Sequence, residues 1–183
     1  MVRLKGIIPA ISDAGVFEKF LRSEQEVCFL MNMHVSLVSS LIQKGHAAGK
    51  KIIVHLDMVG GLSDDEQGCE YLCQALKADG VISTRGRIVY TAKKNHRTAV
   101  LRMFLIDSRS VDKGIELVNE IHPDYLEILP AIATDIIPEI QKQTDTALIG
   151  GGLISREEQI QHALASGLEA VSCSQTALWY RKK

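Results

Sequence analysis

The chain has no long apolar run, few aromatic residues, little proline and no cysteine pair at metal-ligand spacing, and each shortage closes off a class of protein. Its longest apolar stretch, TAVLRMFLI from Thr98, is nine residues and is broken by Arg102, against the roughly 20 needed to span a bilayer. The opening MVRLKGIIPA lacks the apolar core of a secretory leader, so the expected location is the cytoplasm. Cys28, Cys69, Cys73 and Cys173 are scattered without a CxxC pair, which points to reduced thiols rather than a disulfide framework. Cys69 and Cys73 stand four apart on an expected helix, but no His or second Cys pair nearby completes a tetrahedral set. They read as buried helix residues, and no metal or cofactor is expected.

Charge of one sign is also missing. Lys and Arg number 21 against 22 Asp and Glu, for a formal net charge of -1, which excludes a uniformly basic protein that coats nucleic acid by charge alone. Aromatic residues are only 5% of a chain that is 46% hydrophobic, so aliphatic side chains must fill the core. At 183 residues the chain suits one well-buried core, so residues 1–183 are expected to form one domain.

What is present is a repeat of short apolar runs, each followed by a helical pattern and a turn. The expected strands are GIIPAI from Gly6, EVCFL from Glu26, KIIVHLD from Lys51, GVIS from Gly80, TAVLRMFLI from Thr98, DYLEIL from Asp124, TALIG from Thr146 and EAVSC from Glu169. Between the second and third, Leu37, Val38, Leu41 and Ile42 form a stripe that Gly49 ends. After the seventh, Ser155 to Glu158 reads as an S-x-x-E capping box, and Gly167 as the stop. Eight βα units suit a closed (β/α)8 barrel or an open doubly wound sheet, and the count favours a small TIM-like barrel. The chain is short against the usual ~250 residues of that fold, so one helix is expected to be reduced or missing.

In such a barrel the working residues follow the strands. After the seventh run come Gly150, Gly151 and Gly152, where the absent Cβ atoms let backbone N–H groups approach an anion. After the eighth come Ser172, Cys173 and Ser174, leading into a short helix expected around Thr176 to Tyr180. Its N-terminus would add free N–H groups. A bare glycine run also makes a tight turn, but its position after strand seven, with the serines after strand eight, favours a phosphate site. Asn32, Asp57 and Glu127 stand at other strand ends. Asp57 and Glu127 either accept hydrogen bonds from ligand hydroxyls or neutralise an inward Arg102. His34 and His55 offer general bases without a partner legible from spacing. No lysine follows an expected strand, since Lys5, Lys50 and Lys51 precede theirs, which disfavours Schiff-base chemistry. Gly80 to Ile106 carries Arg85, Arg87, Lys93, Lys94, Arg97 and Arg102 with no acid, and Arg181 to Lys183 form a smaller basic cluster. A charge run is more often a solvated face than an RNA surface.

In order and spacing, the segments VCFLMN, AAGKKIIVHLDMVGGL, ADGVISTRGRIV, LRMFLIDS, PDYLEILPAI, ALIGGGLI and AVSCSQTALW resemble the glycerol-3-phosphate-responsive antiterminator family along almost the whole chain. The resemblance implies a barrel that is not an enzyme, binds glycerol 3-phosphate as effector, and then acts on leader mRNA to prevent transcription termination of glycerol-uptake genes. Carried over, it implies phosphate contacts at Gly150, Gly151, Gly152, Ser172 and Ser174, with Asp57, Arg102 and Glu127 in the ligand pocket. It places ISTRGRIV near the loop after strand four, from which Arg85, Arg87, Lys93 and Lys94 are taken as the RNA contacts. Gly60 departs from the family pattern, where relatives often carry an acidic residue. Two rivals stand beside this reading: a barrel enzyme, an isomerase or lyase acting on a small phosphorylated sugar, and a ligand sensor whose partner is another protein. Oligomeric state is open.

Overall fold

The computed structural model describes residues 1–180, so the basic cluster Arg181 to Lys183 lies outside the described residues. Eight parallel strands close into a barrel: β1 (Gly6–Ile11), β2 (Val27–Leu30), β3 (Lys51–His55), β4 (Gly80–Ser83), β5 (Thr98–Phe104), β6 (Tyr125–Leu129), β7 (Ala147–Gly151) and β8 (Ala170–Cys173). They pair in chain order, and β8 closes on β1. Seven α-helices lie between them among the described residues: α1 (Ala14–Arg22), α2 (Val35–Ala47), α3 (Glu66–Glu70), α4 (Gly86–Lys94), α5 (Ser108–Ile121), α6 (Ile137–Gln141) and α7 (Glu157–Ala165). This is the TIM-like barrel the sequence predicts, with α6 cut to five residues and α3, also five residues, running on as a π-helix over Tyr71–Ala75. None of these helices is long and apolar enough to cross a membrane.

Local chemistry writes the helix ends. Asp13 and Asp107 accept hydrogen bonds from the backbone N–H of Gly15 (2.6 Å) and Ser110 (2.8 Å), opening α1 and α5. His34 does the same for α2, its Nδ1 3.3 Å from the Ser36 backbone nitrogen, so this histidine is a cap. The box expected at Ser155 is closed by another residue: Gln159 Oε1 accepts from the backbone nitrogens of Ser155 (2.8 Å) and Arg156 (3.0 Å), and α7 starts at Glu157. The longer Gln159 side chain sits where it can reach back to both orphan donors. Gly49 and Gly167 end their helices with positive φ, as expected.

Two strands stop earlier than the apolar pattern suggests. The third gives way after His55 to a 3-10 turn, Leu56–Met58, and the fifth ends at Phe104. In both, the chain leaves the ladder to begin its βα loop while its composition is still apolar. Beyond β8 the expected helix is only a 3-10 turn, Thr176–Leu178. It is pinned by Trp179, which is fully buried and donates its indole N–H to the Cys173 carbonyl at 2.8 Å.

Strand alternation divides the apolar residues into two cores. Ile8, Phe29, Ile53, Ile82, Val100, Tyr125, Ile149 and Ala170 fill the barrel interior, with Leu4 beneath them. The intervening residues, such as Leu30, Val54, Leu101, Leu126 and Val171, face outward against the helices. Cys69 and Cys73 belong to this outer core, as the sequence suggests. Leu37, counted in the α2 stripe, is instead 44% exposed. Above the apolar interior layer, toward the carboxyl ends of the strands, the same inward parity brings His55, Arg102, Glu127, Gly151 and Ser172 together.

Candidate functional site

Arg102 and Glu127 are register partners on β5 and β6. Two residues beyond the apolar Val100 and Tyr125, alternation turns both side chains into the barrel. Glu127 is fully buried, and Arg102 is 8% exposed. Arg102 Nε donates to Glu127 Oε2 at 2.7 Å, while Ser172 Oγ donates to Oε1 at 2.7 Å. Both carboxylate oxygens are therefore occupied, and Glu127 acts as a clamp behind the guanidinium. A buried ion pair repays its desolvation only when the remaining lone pairs and protons are bonded too, and here Ser172 supplies the second bond to the carboxylate.

The clamp takes only Nε. The terminal guanidinium nitrogens are left facing the barrel mouth, with a soft contact from Nη2 to the Met31 sulfur at 3.7 Å. There lies a cavity of about 140 Å³ that includes Arg102, Leu129, Gly152, Leu153, Ser172 and Ser174 in its wall. Its size suits a small anion better than the 300–1,000 Å³ of a drug-sized site.

The glycine run has three separate reasons. A Cβ at Gly150 would lie 2.6 Å from Leu168 and 2.8 Å from Ala131. A Cβ at Gly151 would lie 2.5 Å from Ser172 Oγ and 2.7 Å from Glu127 Oε1, inside the clamp itself. Gly152 adopts φ +76° and only it among the three lines the cavity. Leu153 follows at φ 58°, a left-handed conformation unfavourable for a non-glycine residue. Thus Gly150 and Gly151 are packing positions, and of the three only Gly152 opens onto the cavity. The three-residue turn after β8 is too short to supply a helix dipole, so positive potential in the cavity comes from Arg102.

Asp57 is not in this cavity. Its carboxylate accepts from Ser83 Oγ (2.5 Å), Thr84 N (2.8 Å) and Thr84 Oγ1 (2.7 Å), tying the turn after β3 to the end of β4. Burial pushes its carboxyl pKa up, but these hydrogen bonds outweigh burial and hold it below the usual value. His55 lies 2% exposed in the same upper layer, with no hydrogen-bond partner for Nδ1. Burial and the Arg102 charge lower its pKa to about 4 against the opposing pull of Asp57. His55 is therefore neutral at pH 7. Asn32 takes a positive φ of 51° just past β2.

The four basic residues taken as RNA contacts do not form one patch. Arg85 and Arg87 open α4 on the mouth side, where Arg85 Nη2 pairs with Asp64 at 2.5 Å and Arg87 Nε with Glu66 at 3.6 Å. Lys93 and Lys94 close the same helix, which at ~1.5 Å per residue carries them to the other end of the barrel. Lys93 donates to the His122 carbonyl, and Lys94 sits 4.7 Å from the Tyr90 ring centroid. Sequence reading also missed Met31 and Leu129 as wall residues. The signal was available for Met31, which continues the inward parity of Phe29 one step past the end of β2.

A family model described as "Glycerol-3-phosphate responsive antiterminator" matches residues 7–179. The chain belongs to the glycerol-3-phosphate responsive antiterminator family. Consistent with that antiterminator membership, the crystal structure of a glycerol uptake operon antiterminator regulatory protein from Listeria monocytogenes superposes with a TM-score of 0.92 at 35% identity, covering 95% of this chain and 94% of that one. A glycerol uptake operon antiterminator-related protein from Thermotoga maritima gives 0.86 at 30% identity, covering 97% and 99%. The uncharacterized protein YgcP of Escherichia coli is 27% identical over 179 residues, which is 98% of this chain and 94% of YgcP.

Proposed function

We propose that this protein binds glycerol 3-phosphate in the cavity at Arg102 and, in that state, engages leader mRNA so that transcription of glycerol-uptake genes passes a terminator. The observation that carries the effector reading is the fixed guanidinium: Glu127 holds Nε at 2.7 Å and leaves the terminal N–H groups for an anion. The phosphate would sit between those groups, the backbone from Gly152 onward and Ser174, which is exposed on the rim. Glu127, fully buried and doubly hydrogen-bonded, positions Arg102 and does not itself read the glycerol hydroxyls. Asp57 serves the β3–β4 connection. The antiterminator family supports the regulatory role.

The same geometry weighs against the enzyme reading. A general acid or base must reach the substrate with a proton to give or accept, and both candidate carboxylates are spent on internal hydrogen bonds.

For a switch, the effector must prefer the RNA-competent state, and a coupling of about 1–3 kcal/mol changes RNA affinity roughly 5- to 150-fold. The first test is thermal unfolding with glycerol 3-phosphate, glycerol and sulfate. A ligand at 100 times its Kd stabilises by about 2.7 kcal/mol, or roughly 5–11 °C for a chain of this size. A shift with glycerol 3-phosphate alone is expected. No shift, or an equal one with sulfate, refutes the effector assignment.

A further inference from the structure

The charges of this barrel are sorted along its axis. The mouth, where the βα loops gather, carries Asp13, Asp64, Asp65, Glu66, Asp107 and Glu157. Among its cations, Arg85 and Arg87 pair with Asp64 and Glu66, while Arg109 and Arg156 are exposed at the starts of α5 and α7. The opposite floor, where the strands begin, carries Arg3, Lys5, Lys51, Lys93, Lys94 and Arg97. Part of this sorting is ordinary helix chemistry: Asp13, Asp65 and Asp107 are N-caps, and Lys93 and Lys94 complement the last turn of α4. That account does not reach Arg3, Lys5, Lys51 or Arg97, which lie on no helix.

These four are gathered by two grooves that meet at Arg3. One, of about 420 Å³, includes Arg3, Lys51, His96 and Arg97 beside Glu26 and Asp79. The other, of about 480 Å³, includes Arg3 and Lys5 beside Glu24 and Glu26. Asp79 is already saturated by the Ile52 backbone N–H (2.9 Å), Lys51 (3.0 Å) and His46 (2.7 Å). Arg97 spends Nη2 on the Cys73 carbonyl at 3.1 Å, while its Nε is buried with no hydrogen-bond partner. Arg3, Lys5, Lys93 and Lys94 are all exposed.

We infer that leader RNA is held on this floor, by Arg3, Lys5 and Arg97 together with Lys94 at the end of α4, on the side of the barrel opposite the effector cavity. The inference rests on the antiterminator reading above. A polyanion needs cations that can reach its phosphates without first breaking internal ion pairs. The floor offers exposed Arg3, Lys5 and Lys94, none of them in an ion pair among the described residues, whereas at the mouth Arg85 and Arg87 are paired and Arg109 and Arg156 stand among the six carboxylates. The floor is also tied to the strands of the effector site. Val2 N donates to Thr98 Oγ1 at 2.7 Å and Leu4 N to Tyr125 Oη at 3.1 Å. Thr98 and Tyr125 open β5 and β6, the strands that carry Arg102 and Glu127.

The test compares full-length Arg3→Glu/Lys5→Glu/Lys94→Glu with Arg85→Gln/Arg87→Gln. Binding of a transcribed glycerol-operon leader RNA is measured with glycerol 3-phosphate present at several salt concentrations. The thermal midpoint and its glycerol 3-phosphate shift check the fold of each variant. The floor variant is expected to lose more than tenfold in RNA affinity, with the salt slope reduced by about three because it removes three phosphate contacts and each contributes about one. The mouth variant is expected to stay within about threefold of wild type, because the carboxylates around those arginines repel a polyanion. Wild-type binding that the floor variant retains, or that the mouth variant loses instead, overturns the floor assignment and leaves the antiterminator reading standing. A wild-type chain that binds no leader RNA overturns both.

Discussion

Replacing Arg102 with Met should be among the most damaging single changes this barrel can take outside its apolar core. Met preserves much of the stem volume but removes the donor at 2.7 Å from Glu127 Oε2, leaving a fully buried carboxylate supported only by Ser172. Breaking a buried pair from one side costs about 3–5 kcal/mol. For a chain of this length that is roughly 6–20 °C in midpoint, at about 2–4 °C per kcal/mol. The informative measurement is a double-mutant cycle by urea denaturation at pH 7 with Arg102→Met, Glu127→Leu and the double variant. The double variant should be more stable than Arg102→Met, because no uncompensated charge is left in the barrel. The glycerol 3-phosphate shift should be absent from every variant lacking Arg102. A cost below about 1 kcal/mol for Arg102→Met, on the scale of an exposed ion pair, would refute the clamp.

Gly151→Ala should destabilise by about 1–3 kcal/mol, as overpacking does, and abolish the glycerol 3-phosphate shift. Its Cβ would sit 2.5 Å from Ser172 Oγ and 2.7 Å from Glu127 Oε1; calorimetry with and without the effector checks both. His55 should make stability pH-dependent. Its folded pKa of about 4 lies below the ordinary value of 6.5, so the unfolded chain takes up the proton first and the folded state loses ground as pH falls from about 6.5 to 4. At 1.36 kcal/mol per pKa unit the effect approaches about 3 kcal/mol. Urea titrations at pH 7 and 4.5 should therefore show a smaller acid loss in His55→Gln than in wild type; equal losses would contradict the assignment.

Much of the architecture was legible because it is periodic. Each strand needs a short apolar run, each helix a stripe and a stop, and these signals are local. The strand count, the glycine stops and the burial of Cys69 and Cys73 all follow from them. The misses are local signals overridden by geometry. Ser155 to Glu158 reads as a capping box, yet Gln159 reaches the orphan backbone nitrogens. The run after His55 stays apolar although the ladder has ended. The segment after β8 has helical spacing, but its buried Trp179 fixes a single 3-10 turn.

By itself, the sequence determined that this chain is a barrel with polar residues at its strand ends, because alternation and turn chemistry act over a few residues. Only the tertiary structure decided what those residues do. Arg102 and Glu127 are 25 positions apart, and Ser172 is a further 45 away; barrel closure makes them one buried unit. Pairing of β3 with β4 sends Asp57 to Ser83 and Thr84, and the packed helix α4 holds Arg85 and Lys94 at its opposite ends. Partner choice in a polar network depends on strand register and on which face a side chain occupies, and distant strands fix both only when the sheet closes.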